Sequence, residues 1–141
     1  MKKNVFKRRI MWGDLDPLGI VFYPKYYRWM DDSAQVFLKS MGLNMVEVWK
    51  DRNVGFILVE TSCRYFSPGK YLQDIEIRIH IDELGEKTLN LKYLITDAAK
   101  NSLMVEGIEK RICIDTSDPQ RFKAIPIPKD MREILRSAMN G

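Results

Sequence analysis

Residues 74–82 read Asp74-Ile-Glu-Ile-Arg-Ile-His-Ile-Asp82, and this strict alternation of isoleucine with polar residues predicts a β-strand. Successive side chains of a strand point to opposite faces, so the four isoleucines form one apolar face. His80 lies on the other face, which we expect to meet solvent. One buried and one solvated face are typical of an antiparallel sheet.

Neighbouring segments share the β-branched and aromatic composition of strands and are separated by the turn signals Pro68-Gly69, Leu84-Gly85 and Lys100-Asn101. The predicted strands cover residues 54–66, 72–84, 87–96 and 103–114, with a further strand around residues 5–11. We therefore expect four consecutive antiparallel strands preceded by an N-terminal one.

A helix is predicted over residues 24–41, because apolar side chains recur there at spacings of three and four. These are Tyr27, Met30, Ala34, Phe37 and Met41. Pro24 suits a first helical turn, and Gly42 suits the position after the last. Shorter helices are predicted over 45–52 and 128–139. The long helix lying across the sheet gives a two-layer α+β domain.

The length and the charge distribution limit the number of domains and the classes of binding partner. The 141 residues fit one domain, 1–141. Five of the 23 basic residues lie within residues 1–10, which hold no acidic one, so the remaining 18 nearly balance the 19 acidic residues. This predicts a solvated basic arm on a neutral body rather than a nucleic-acid surface. Without a membrane-spanning or signal-peptide pattern, we expect a cytoplasmic protein that does not insert into membranes.

The residues for common catalytic chemistry are scarce. Cys63 and Cys113 are fifty positions apart and have no histidine spaced to join them, so no metal site or disulfide is indicated and both are expected to be ordinary thiols. His80 is the one histidine of the chain, and its place on the polar strand face disfavours a catalytic role.

The segment Trp12-Gly-Asp-Leu-Asp-Pro-Leu-Gly-Ile-Val-Phe-Tyr-Pro24 is unusual for a connection between a strand and a helix. Pro17 biases Asp16 toward extended backbone, and Gly19 permits turn conformations closed to other residues. The helix that begins near Tyr23 offers free backbone N–H groups and the positive end of its dipole. A carboxylate and a helix N-terminus are therefore expected to face one small site.

Such a pair suits acyl transfer. The carboxylate can attack a carbonyl carbon or deprotonate a water that does, while backbone N–H groups polarise the carbonyl oxygen. A thioester fits best, because its thiolate leaves without a general acid. The spacing alone leaves equally open a structural alternative, in which Asp14 and Asp16 only cap turns.

Residues 13–31 resemble the hotdog-fold acyl-CoA thioesterases, most closely the 4-hydroxybenzoyl-CoA thioesterase group. That group carries the pattern G-D-x-D-P-x-G-I-V-x-Y-P-x-Y-x-R-W-x-D, which here runs from Gly13 to Asp31. The resemblance implies a hotdog fold, in which an antiparallel sheet wraps a central helix. It also implies a homodimer, in some members paired into a homotetramer, with active sites at the subunit interface.

The resemblance assigns two catalytic positions. Asp16 corresponds to the catalytic aspartate, a nucleophile or a general base, and the Tyr23 N–H corresponds to the group that polarises the thioester carbonyl. Gly19 and Val21 are candidate substrate contacts in the same loop. Asp14 is expected to support the loop. The substrate is an acyl-CoA with a small or aromatic acyl group, and no metal or separate cofactor is implied.

Other candidates rest on weaker signals. Glu60 could line the substrate cavity of a neighbouring subunit or lie at a strand edge. Asp31 could contact the site or remain on the polar face of the helix. The turn 82–87 is mostly acidic, unlike the basic turns that meet CoA phosphates in relatives, so Arg121 and Lys123 are the candidates for that role.

Three alternative functions remain at this point. A non-catalytic acyl-CoA-binding or regulatory module on the same fold is the first, although such a module has no need of Asp16. A hotdog dehydratase would require a catalytic histidine, for which His80 is poorly placed. Nucleic-acid binding through the basic arm would be lost on deleting residues 1–9.

Overall fold

The computed structural model describes residues 3–139, which form three α-helices and six β-strands. In chain order these are β1 (Val5–Arg9), α1 (Pro24–Ser40), α2 (Met45–Arg52), β2 (Val54–Tyr65), β3 (Asp74–Leu84), β4 (Thr88–Asp97), β5 (Leu103–Asp115), β6 (Lys123–Ala124) and α3 (Lys129–Met139). All predicted elements are present, with ends that differ by one or two residues. The two-residue strand β6 cannot be predicted from the sequence, because it is too short to show a period.

The strands form one antiparallel sheet in the order β1-β3-β4-β5-β2, with β6 beside the end of β5. β2 therefore lies at the edge opposite β1, and not beside its sequence neighbour β3. The connection 66–73 explains this order. The Phe66 N–H donates to the Met104 carbonyl and the Leu72 N–H donates to the Ile10 carbonyl, so this segment crosses the end of the sheet.

The apolar face of the sheet and helix α1 form the core. All four alternating isoleucines of β3 are at most 8% exposed, as the sequence predicts, and His80 is exposed. A fully buried isoleucine stabilises the fold by about 1.5–3 kcal/mol. Gly107 of β5 lets α1 approach closely, because a Cβ there would lie 2.7 Å from the Met30 sulfur. The helix therefore packs directly on the middle of β5.

A largely buried polar network fixes α1 against the sheet at mid-length. The Tyr93 hydroxyl donates to Glu109 at 2.5 Å, and the Arg111 guanidinium donates to Glu109 at 2.8 Å and to Asp31 at 3.1 Å. Burial, reinforced by the Glu109 charge, raises the pKa of Tyr93, so the phenol stays protonated. Asp31 thus pairs with Arg111, which accounts for its place on the helix.

The basic side chains of Lys3, Lys7, Arg8 and Arg9 are exposed, as expected, although the last three lie on strand β1 and not on a free arm. Arg8 and Arg9 lie on β1, where Arg8 pairs with Asp14 and Arg9 pairs with Asp74. Strand pairing of β1 with β3 brings Asp74 alongside Arg9, whereas Asp14 follows β1 in the chain. Residues 1 and 2 lie outside the described residues.

No helix within residues 3–139 is long and apolar enough to cross a membrane. The cytoplasmic location stays a prediction.

Candidate active site

The loop between β1 and α1 folds back on itself as a short ribbon. A 3-10 turn covers Trp12–Asp14, after which Leu15 pairs with Val21 in an antiparallel bridge. The Asp16 N–H donates to the Ile20 carbonyl at 2.8 Å, and the Gly19 N–H donates to the Asp16 carbonyl at 2.9 Å. Gly19 has φ +78°, a conformation that strains other residues. These bonds place Asp16 at the turning end of the ribbon.

Asp14 and Asp16 have opposite surroundings. Asp14 is 5% exposed, and its carboxylate accepts bonds from the Arg8 guanidinium and from the Met11 N–H. The Asp16 carboxylate is partly exposed, and its Oδ1 accepts a bond from the Leu18 N–H at 2.8 Å. Among residues 3–139, no other group donates to the Asp16 carboxylate. Asp14 therefore holds the loop, as expected, while Asp16 keeps unused acceptor positions.

The start of α1 presents one unpaired donor. The N–H groups of Val21, Phe22, Lys25 and Tyr26 all donate to backbone carbonyls, and Pro24 has none. The Tyr23 N–H makes no hydrogen bond to any residue from 3 to 139, and no side chain caps this end of the helix. Both the free N–H and the helix dipole favour a negatively polarised oxygen at this point.

An apolar cavity of about 280 Å³ lies beside this helix start. Its walls come from the loop, from the first turn of α1, and from the end of β2 with the connection that follows. The lining residues are Ile20, Val21, Tyr23, Tyr26, Tyr65, Phe66, Ser67 and Pro68. The cavity is large enough for a small acyl group and is lined by aromatic rings.

The cysteines are not activated for nucleophilic attack. Cys63 contacts Met30 at 3.6 Å between sulfurs, and burial raises the pKa of its thiol. Burial also raises the pKa of the Cys113 thiol, to about 11. A thiolate is the reactive form of cysteine, so the raised pKa values make both side chains poorer nucleophiles than a free cysteine. Asp16 is thus the better candidate for attack on a carbonyl.

The structure brings some predicted site residues together and leaves others apart. Val21 is 4% exposed and lines the cavity, whereas Gly19 is exposed and shapes the ribbon turn. Glu60 is exposed on the edge strand β2 and does not line the cavity. Arg121 and Lys123 line a separate groove that also contains Asp115 and Asp118, at the opposite end of β5.

Comparison with known proteins identifies the family. Residues 10–135 match the model of the thioesterase-like superfamily. The chain belongs to that superfamily. A gentisyl-coenzyme A thioesterase of known structure is 32% identical, with a TM-score of 0.78 over 94% of this chain and 98% of its own. The predicted family and the predicted class of enzyme, a thioester hydrolase, are confirmed.

Two further relatives match nearly the whole of this chain. The 4-hydroxybenzoyl-CoA thioesterase of Pseudomonas sp. (strain CBS-3) is 26% identical over 91% of this chain and 94% of its own length. A variant 4-hydroxybenzoyl-CoA thioesterase in complex with 4-hydroxybenzoyl-CoA is 24% identical, covers 93% of this chain and 96% of its own, and superposes with a TM-score of 0.85. This superposition confirms the predicted hotdog fold.

Sequence reasoning missed the contribution of residues 65–68 to the cavity wall. Pro68-Gly69 indicates a turn between adjacent strands, whereas in the structure this turn lies beneath the loop and contacts it. The signal that could have found it is the eight-residue gap between β2 and β3, which is longer than a tight hairpin needs.

Proposed function

We propose that this enzyme hydrolyses an acyl-CoA thioester to the free acid and CoA. The observations that carry the proposal are the incompletely hydrogen-bonded Asp16 carboxylate and the free Tyr23 N–H in one loop, and the apolar cavity that Tyr23 lines. Membership of the thioesterase-like superfamily supports the choice of a thioester.

Asp16 acts either as a nucleophile or as a base on the attacking water. In the nucleophile route its carboxylate adds to the carbonyl carbon and displaces the CoA thiolate, and water then hydrolyses the mixed anhydride to the free acid and restores Asp16. Its Oδ1 stays bonded to the Leu18 N–H, which orients the carboxylate and leaves the other oxygen for the reaction. In the base route, water loses a proton to Asp16 and adds to the carbonyl. The C–S bond then breaks, and the CoA thiolate leaves and takes up the proton that Asp16 removed from water, which restores the Asp16 carboxylate.

The Tyr23 N–H polarises the thioester oxygen. Hydrogen-bond donors that are already oriented stabilise the oxyanion without reorganising during the reaction, and loss of one such donor typically costs about 10²–10³ in turnover. Because Tyr23 is at the N-terminus of the 17-residue helix α1, the helix dipole adds to this effect.

The acyl group is small or aromatic and occupies the cavity beside Tyr23. Aromatic walls from Tyr26, Tyr65 and Phe66 suit a flat apolar ring. The relatives named for 4-hydroxybenzoyl-CoA and gentisyl-CoA act on acyl groups of that kind, which supports this assignment.

The complete site is proposed to require a second copy of the chain. β2 is an edge strand with three consecutive exposed apolar residues, Ile57, Leu58 and Val59, and exposed apolar edges of this kind pair with other strands. Antiparallel pairing of two β2 strands would set the Val54 end of one copy beside the Tyr65 end of the other. Glu60, Arg121 and Lys123 would then approach the site from the partner, the last two toward the CoA phosphates.

Release of free thiol from a panel of acyl-CoA substrates tests this function. The panel should include acetyl-CoA, a long-chain acyl-CoA, benzoyl-CoA and hydroxybenzoyl-CoA. We expect rapid release with the aromatic substrates. Tight binding of acyl-CoA without thiol release would instead favour the non-catalytic binding module.

A further inference from the structure

Gly69 contacts both sides of the proposed site. Its N–H donates to the Tyr26 hydroxyl at 3.1 Å, and its carbonyl accepts a bond from the Val21 N–H at 2.9 Å. Tyr26 belongs to the first turn of α1, whereas Val21 belongs to the returning arm of the ribbon. One residue of the β2–β3 connection therefore joins the loop to the helix start.

The space around Gly69 admits no side chain. A Cβ built there would lie 2.7 Å from the Ile10 Cδ1, 2.7 Å from the Val21 Cγ2 and 2.9 Å from the Tyr26 hydroxyl. Ile10 and Tyr26 are buried, so these neighbours have little room to move. The next residue, Lys70, forms a bridge with Ile20 and extends the contact along the ribbon.

We propose that Gly69 and Tyr26 are positioning residues: joined through the Tyr26 hydroxyl, they hold the returning arm of the ribbon, and through it Asp16, at a fixed offset from the Tyr23 N–H. We call this pair the Gly69 clamp. The inference rests on the proposed function, since it assigns roles toward the same thioester.

Two paths of hydrogen bonds connect the Gly69 clamp to the reacting groups, which are the Asp16 carboxylate and the Tyr23 N–H. Val21 lies directly after Ile20, whose carbonyl holds the Asp16 N–H at 2.8 Å. Tyr26 lies in the turn that follows Tyr23, and its N–H donates to the Tyr23 carbonyl at 3.1 Å. Loss of the clamp would let the two reacting groups shift relative to each other, and a shift of about 1 Å can cost roughly 100-fold in rate.

Tyr26→Phe tests the clamp, because it keeps the ring and removes the acceptor of the Gly69 N–H. We expect kcat to fall about 10- to 100-fold, while KM stays within about twofold because ground-state binding is retained. Tyr93→Phe is the matched control. It also removes one buried tyrosine hydroxyl, the partner of Glu109, away from the loop. It should lower the unfolding midpoint to a similar degree and leave kcat unchanged.

Tyr26 also lines the cavity, so its role in positioning must be separated from contact with the acyl group. Acyl-CoA substrates of different acyl size make this separation. A positioning role lowers kcat by the same factor for acetyl-CoA and benzoyl-CoA. A factor that grows with acyl size would show that Tyr26 acts by contacting the acyl group, and would overturn the clamp. All variants are assayed at one temperature, well below the lowest of their unfolding midpoints, so that loss of folded protein does not enter the comparison.

Gly69→Ala provides the second test, with Gly107→Ala as its control. At both glycines an added Cβ would meet a neighbouring atom at 2.7 Å, but the neighbour of Gly107 is the flexible end of Met30, in the core. We expect Gly69→Ala to reduce kcat at least as much as Tyr26→Phe. Wild-type protein that releases no thiol would overturn the proposed function and the clamp with it, whereas normal release together with an unchanged kcat in Tyr26→Phe would overturn the clamp alone.

Discussion

Two aspartates two positions apart differ in almost every physical respect. Asp14 is buried and bonded to the Arg8 guanidinium, which in turn lies 4.6 Å above the Trp29 ring. Asp16 is partly exposed and bonded to one backbone N–H. A buried carboxylate whose two oxygens both accept hydrogen bonds stabilises a loop, whereas a partly exposed carboxylate with one oxygen free of them is available for chemistry. Sequence spacing cannot separate the two, because the difference lies in the burial and hydrogen-bond partners that each carboxylate gains in the folded loop.

The largest effect is expected at Asp16. Asp16→Asn should reduce thiol release by about 10³-fold, since loss of an acid–base group costs roughly 10²–10⁴ in rate. The unfolding free energy should change by less than about 0.5 kcal/mol, as at other exposed positions, because asparagine still accepts the Leu18 N–H. Thiol release and urea unfolding of the same preparation measure both quantities. A variant that keeps most of its turnover would rule out the mechanism.

The second largest effect is expected at Asp14, where a substitution should affect stability more than activity. Asp14→Asn should lower the unfolding free energy by about 1–3 kcal/mol, because it weakens charged hydrogen bonds within a buried group. Thiol release, assayed below the unfolding midpoint, should fall far less than in Asp16→Asn. Equal unfolding free energies of Asp14→Asn and Asp16→Asn in urea would show that the burial of Asp14 does not contribute to stability.

A smaller effect is expected at the turn of the ribbon. Gly19→Ala places a side chain at φ +78° and should cost roughly 1–2 kcal/mol in stability. Gly13→Ala is the matched control, since a Cβ meets no atom within 4 Å at either position and Gly13 lacks the positive φ. Thermal unfolding of both variants measures the difference. If the two midpoints agree, the turn conformation is not strained.

The smallest effect concerns the ion pair between Arg9 of β1 and Asp74 of β3. Arg9 hydrogen-bonds the exposed Asp74 and holds the pKa of that carboxyl below its usual range. A lowered carboxyl pKa contributes stability above about pH 4, and that contribution is lost as the pH falls through the lowered pKa. In Asp74→Asn the unfolding free energy should therefore fall slightly less steeply than in the wild type as the pH is lowered from about 5 to 3. An unchanged slope would show that solvent screens this pair completely.

The fold could be predicted from the sequence because periodicity reports burial directly. The isoleucines of β3 alternate with polar residues, and the apolar residues of 24–41 recur at spacings of three and four. Each pattern marks one apolar face, and packing these two faces together gives the sheet layer and the helix layer. The order of strands could not be predicted in this way. It depends on the connection 66–73, whose backbone bonds to Met104 and Ile10 join residues far apart in sequence.

The candidate site could be predicted only in part, for a related reason. Asp16 and Tyr23 lie on one continuous segment whose proline, glycines and helix start are visible in the sequence. Tyr26 and Gly69 meet only in three dimensions, and the helical stripe predicts burial of Tyr27, which is half-buried, whereas Tyr26 is 3% exposed. A one-residue difference in helical phase therefore concealed the contact.

The sheet order also sets when the site can form during folding. β3, β4 and β5 are joined by short turns, so they can pair early, whereas Tyr65 of β2 must find Val105 and Val54 must find Asp115 across long closed loops. Residues 66–73 follow β2 directly and gain their backbone partners only when that strand arrives. We therefore expect pulsed hydrogen exchange during refolding to protect the Gly69 amide after those of β4, so that the chain completes its meander before it has a place to hold a substrate.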